Sequence, residues 1–264
     1  MPRMSLQYLP FLVALLLLPG LSYAQWQFTG GVGLRHMRIT EHDRNGQTLV
    51  QEDGWLPGVE LRADYVLDDW RLGLSAEAYR RDIAYDGRTQ GGRTFSTDTA
   101  TTQTRLGIML GRRIGESTDL LAGLEWDRWQ RNIRGHSGVL GLDERYTSWR
   151  LLAGAGTSLL QIAGVRIDGR ALLVVAAPER LQVRFENQVF DNASFSTKSA
   201  TGLRMALDFR PVATPALTAT VGFDWLRVRR SEDAILRRSG AAVGTVAQPE
   251  HVRRALDIKL SYQF

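Results

Sequence analysis

The final stretch of the chain alternates without interruption. Leu256, Ile258, Leu260, Tyr262 and Phe264 fall on one side, and Ala255, Asp257, Lys259, Ser261 and Gln263 on the other. Side chains two apart share a face only in extended backbone, so this run is a strand with one apolar and one charged face. The same period recurs at 26–39, 55–67, 70–83, 99–113, 119–133, 145–159, 165–176, 198–209 and 216–230. The pattern predicts an all-β chain of about ten strands, within two either way. Short links at 68–69, 114–118, 160–164 and 210–215 alternate with long polar ones at roughly 40–54, 84–98, 134–144, 177–197 and 231–250. That rhythm describes an antiparallel up-and-down barrel with both chain ends on the short-turn side.

A soluble barrel turns its apolar face inward, and a membrane barrel turns it outward. The height of the apolar rows decides between them. From Trp70 through Leu72, Leu74, Ala76 and Ala78 to Arg80 is ten residues, which at ~3.4 Å each and a tilt of ~40° climbs about 26 Å, the thickness of a membrane barrel's apolar band. The same spacing separates Phe28 from Arg38, Leu217 from Arg227 and Phe264 from Arg254. Aromatic residues sit at the row ends, with Trp26, Phe28, Trp70, Phe209, Tyr262 and Phe264 at the short turns and Trp55, Trp126, Trp149 and Trp225 toward the long loops. Paired girdles of this kind mark headgroup depth. The expected fold is therefore a transmembrane β-barrel over residues 25–264.

Residues 1–24 read as a secretory signal peptide: Arg3, an apolar stretch from Phe11 to Leu18, a Pro19-Gly20 break, and Ser22-Tyr23-Ala24 before the cut. Beyond it no stretch reaches the ~18 apolar residues that a helical span needs. With no Cys, the chain carries neither a disulfide nor a lipid-bearing cysteine. Lys and Arg number 33 against 28 Asp and Glu, but the charges are scattered, which argues against a nucleic-acid partner.

The leader, the alternating last strand and its Tyr262 and terminal Phe264 resemble those of the Gram-negative outer-membrane β-barrel class. The resemblance spans residues 25–264 in pattern and points to no single family. It implies insertion by the barrel-assembly machinery with Tyr262 and Phe264 in the assembly signal, an outer-membrane location with periplasmic termini, and lipid and lipopolysaccharide as surroundings.

The inward faces carry both signs of charge. Glu60, Arg62, Glu77, Arg81, Arg105, Glu125, Asp127, Arg131, Arg150, Arg166, Asp168, Arg170, Asp224, Asp257 and Lys259 are expected to form an interior network, because long Arg side chains can reach carboxylates across a narrow lumen. The alternative is a narrow passive channel for small anions. Outside, Arg38, Arg80, Arg128, Arg227, Arg229 and Arg254 fall at the loop-side edge of the apolar band, where lipopolysaccharide phosphates lie and guanidinium groups bind them. The bland account of these arginines is snorkelling.

Catalytic patterns are absent. The omptin proteases, also ten-stranded, use carboxylate and His–Asp pairs at the rim. Here His42 and Asp43 are neighbours whose side chains point to opposite sides of extended chain, and no G-x-S-x-G or metal-ligand spacing occurs. No cofactor is implied. The sequence thus predicts a monomeric, non-enzymatic barrel serving envelope integrity or surface interaction, with its long loops, notably 179–196, available to an external partner. A pore is the runner-up and a rim hydrolase a distant third.

Overall fold

The computed structural model describes residues 25–88, 93–136 and 138–264; the leader predicted at 1–24 lies outside the described residues. The strands are β1 (Gln25–His42), β2 (Thr48–Leu67), β3 (Trp70–Arg88), β4 (Thr94–Ile114), β5 (Thr118–Ile133), β6 (Leu142–Ile162), β7 (Val165–Ala176), β8 (Arg180–Phe185), β9 (Ala193–Ser196), β10 (Ala200–Pro211), β11 (Leu217–Val228), β12 (Ala234–Arg238), β13 (Ala241–Val246) and β14 (Glu250–Gln263). Ten of them close a ring in the order β5-β4-β3-β2-β1-β14-β11-β10-β7-β6, with β6 returning to β5. Every pairing is antiparallel, and the seam joins β1 to β14 from Thr29↔Gln263 to His42↔Glu250. The fold is the ten-stranded antiparallel barrel that the alternation predicts.

The apolar face points outward. Leu61 is 65% exposed and Leu173 66%, and Val32, Ile108 and Leu151 share that surface. A soluble protein does not carry a continuous band of this kind. Trp55 and Trp149 bound it toward the loops and Trp70 and Tyr262 toward the turns, all exposed. The turns are tight where backbone twist requires it. Ala163 and Gly164 both take positive φ, 49° and 75°, as a two-residue hairpin matched to right-handed strands demands.

The strands outrun the alternating apolar signal at the loop end. β2 begins at Thr48 and β3 continues to Arg88, because the hydrogen-bonded ladder persists above the apolar band through polar residues such as Thr97, Thr99 and Thr101. Two short hairpins stand on this end, β12–β13 and β8–β9. β8 continues the line of β7 along β6, after a break at residues 177–179, and β9 leads into β10 after a matching break at 197–199. At the break Thr197 N–H donates to the Glu179 carbonyl at 3.0 Å, and Glu179 N–H donates to Thr197 Oγ1 at 2.9 Å. The double irregularity tips the hairpin over the barrel mouth, where Leu181 and Val183 pack with Met37, Ile39, Leu56, Tyr79, Ile83, Trp129 and Tyr146.

Candidate functional site

The lumen is where the chain concentrates its chemistry. Charged side chains reach it because inward positions alternate with lipid-facing ones, and in the buried layers they are held by partners across a narrow bore. At mid-height Arg35 donates to Asp257 at 2.7 Å, Gln103 at 2.9 Å and Glu77 at 3.0 Å. Lys259 holds Glu60 at 2.6 Å and also meets Glu77. Arg105 bridges Asp224 at 2.8 Å and Asp127 at 3.1 Å, while Arg204 reaches Glu125 at 2.7 Å and Asp224 at 3.2 Å. Asp127 also accepts from Arg150 at 2.6 Å and from Gln103 at 2.9 Å. Arg35, Asp127 and Arg150 are at most 2% exposed. Charges removed from water this far persist only when paired and hydrogen-bonded.

A second cluster sits above the loop-side aromatic row, beyond the bilayer-crossing part of the strands. Arg131, five residues past Trp126, donates to Glu52 at 2.5 Å, Glu41 at 2.7 Å and Glu144 at 3.0 Å. Tyr146 Oη donates to Glu144 at 2.9 Å and Gln248 donates to Glu41 at 3.2 Å. Three carboxylates share one guanidinium here, and they cannot all keep their charge in a desolvated site. Burial pushes the Glu52 carboxyl up to about 7 against the pull of Arg131, and it raises Glu144 as well. Beside this cluster Glu179, aimed inward by the break before β8, pairs with Arg253 and lies 3.4 Å from His251 Nε2.

The predicted interior residues hold the inward phase of their strands. Arg81 is exposed and makes no ion pair among the described residues. It keeps the inward phase of β3, between the buried Tyr79 and Ile83 and opposite the buried Thr101, but stands near the top of the strand, where its side chain reaches solvent. Arg62 and Asp64 pair within one strand at 2.8 Å, as do Arg166 and Asp168 at 2.9 Å. Glu41, Glu52, Glu144 and Glu179 are members that the alternation did not identify. The first three continue the inward phase of their strands beyond the apolar band, so extending the count upward finds them. Glu179 is placed by a backbone irregularity that no periodicity encodes.

Outside, Arg38 and Arg254 are direct cross-strand partners, and neither has a counter-ion among the described residues. Arg227 pairs with Glu250 at 2.7 Å and Arg229 donates to Ser199 at 3.0 Å. Arg80 is exposed and Arg128 half-buried on the same outer surface. Tyr262 and Phe264 pack edge to face at the turn end, and Phe264 N–H donates to the Phe28 carbonyl at 2.8 Å.

Of the histidines, His36 meets Asp53 at 3.0 Å on the outer surface, and His136 Nε2 lies 2.9 Å from the Ser96 carbonyl. Asp43 accepts the N–H groups of Asn45 and Gln47, both at 2.8 Å, and so serves its turn. Among the described residues no group of His, Cys, Asp or Glu is arranged to hold a metal ion.

No protein-family model and no curated protein sequence matches this chain. Solved structures do resemble it. The outer membrane protease OmpT from Escherichia coli superposes with a TM-score of 0.53 at 11% identity, over 93% of this chain and 99% of that one. The β-domain of the Bordetella autotransporter BrkA gives 0.44 at 15% identity, over 90% and 100%. The likeness to OmpT is one of fold, so the chain has the architecture of the outer-membrane β-barrel class with a buried charged network in its lumen.

Proposed function

We propose that this chain is a non-conducting, non-enzymatic outer-membrane barrel, monomeric and with periplasmic termini, which supports the envelope and offers its loop end to an external partner. The observation that carries this reading is the occlusion of the loop half of the lumen. The Arg131 cluster and the ion pairs around Asp127 span the bore, and an apolar layer with Leu181, Trp129 and Tyr146 fills the space between them. A pore needs a continuous water path, and these groups stand in it. In a planar bilayer the refolded protein is expected to be silent. Steady anion-selective current steps, lost on changing Arg105 and Arg150 to Ala, would establish the channel reading instead.

The belt of outer arginines belongs to the same proposal. Like charges set directly opposite one another on a sheet repel, and Arg38 beside Arg254 at the membrane edge suits a lipopolysaccharide phosphate, which neutralises both. Changing both to Gln is expected to lower the lipopolysaccharide that co-purifies by several-fold. Equal retention in the variant reduces the belt to snorkelling. Insertion by the barrel-assembly machinery, with Tyr262 and Phe264 as its signal, completes the reading.

A further inference from the structure

The turn half of the lumen is hollow. Two adjoining cavities of about 240 and 140 Å³ occupy it, and Arg62, Asp64, Arg71, Arg170, Asp208 and Arg210 line both. The space exists because inward positions are glycines, among them Gly73, Gly107, Gly111, Gly156 and Gly222. Crowding does not demand a glycine at each of them. A Cβ on Gly156 would meet nothing nearer than 3.6 Å. The mouth is wet, with the Arg113 and Arg166 side chains about half exposed, and the floor is the ion-paired layer around Arg35 and Arg105.

We propose that this vestibule is a binding site for a small oxyanion, a phosphate or a carboxylate, that enters from the turn end and is held between Arg71 and Arg170. In the occluded half each buried guanidinium is met by carboxylates at short range, as Arg131 is by three within 3.0 Å. In the vestibule the pattern fails. Arg71 faces the space with no partner among the described residues, and the sole carboxylate of Arg170, Asp208, is 3.7 Å away, beyond hydrogen-bonding distance. Glu116 stands exposed at the rim, and the acids deeper in are already engaged. Asp64 takes Arg62, Asp168 takes Arg166, and Asp208 accepts the Thr220 hydroxyl at 2.6 Å.

Two guanidiniums with free donor forks beside a roomy cavity constitute a receptor for planar or tetrahedral oxyanions. At ~30 Å³ per water, the larger cavity has the volume of about eight waters, which suits a phosphate or a short carboxylate and excludes a lipid. Because the floor is closed, a solute leaves by the door it entered, so the site retains rather than conducts.

The test is isothermal titration of the refolded full chain in detergent at low ionic strength, with sodium phosphate and, separately, sodium succinate. Saturable binding of either, not reproduced by sodium chloride at equal ionic strength, is expected. Affinity should fall at least tenfold in Arg71→Gln/Arg170→Gln and stay unchanged in Arg112→Gln, whose side chain lies outside against Trp70. Arg71 has no ion pair to lose, so Arg71→Gln alone carries the test if the double variant does not fold. Absence of saturable binding in the wild type, or equal affinity in a folded variant, overturns the proposal.

Discussion

The two halves of the lumen are built from the same alternation and come out opposite. Toward the loops, inward positions hold Trp129, Tyr146, Tyr79 and Arg131, and the bore is filled. Toward the turns they hold glycines with Arg71 and Arg170 among them, and it is open. The ion pairs follow suit. Arg150 meets Asp127 at 2.6 Å and Arg131 meets Glu41 at 2.7 Å, both deeply buried, whereas toward the turns the close pairs Arg62–Asp64 and Arg166–Asp168 are partly exposed and loose ones stand beside them, Arg210 at 3.5 Å from Asp168 and Arg113 at 3.6 Å from Asp119. What separates the halves is the size of the uncharged inward residues. Large ones expel water and bury the charges; small ones leave the charges beside a wet space. Buried pairs carry large opposing terms and exposed ones carry little, so the halves should answer differently to the same insult.

The largest expected effect is at Asp127, where three arginines and Gln103 converge. Asp127→Ala removes the carboxylate that the three share, leaving Arg150 with Glu125 at 3.3 Å, and should cost about 3 kcal/mol, whereas Arg170→Ala should cost no more than about 1 kcal/mol. Urea unfolding of the lipid-reconstituted protein, followed by tryptophan fluorescence, measures both. Equal losses would erase the distinction between the halves. A smaller effect sharpens it by packing alone. A Cβ at Gly54 would stand 2.6 Å from Ile83 Cγ2, so Gly54→Ala should destabilise by about 1–3 kcal/mol. Gly156→Ala has room and should change stability by less than ~0.5 kcal/mol. The same unfolding experiment decides, and a costly Gly156→Ala would mean that the turn half is packed after all.

The barrel was legible in the sequence because membrane and lumen impose opposite chemistries on neighbouring residues. Leu256, Asp257 and Ile258 admit one arrangement in which each is in its own solvent. The aromatic rows at Trp55 and Trp149 fixed the height for the same reason. Legibility stopped where that contrast stopped. Above the bilayer both faces are polar, so the tops of β2 and β4 and the inward Glu52 and Glu144 look like loop. The break at residues 177–179 is harder still, since its effect is to turn Glu179 against the phase of the strand before it. Arg81 has the phase that the alternation gives it, between Tyr79 and Ile83, but it stands too near the top of β3 to be buried in the network. The partition between filled and hollow lumen was present in the inward glycines, but it takes the closed ring to bring Gly73, Gly107, Gly156 and Gly222 around one space.

Arg35 and Asp257 stand opposite each other on the strands that close the ring, 222 residues apart along the chain. No earlier segment supplies that carboxylate. A polypeptide that ends before β14 therefore leaves Arg35 with Glu77 alone among these carboxylates, and Glu77 without Lys259. The seam ion pairs thus act as a proofreading mark written in charge: Arg35 and Glu77 have their full set of partners only when the last strand to be synthesised has arrived and aligned with the first.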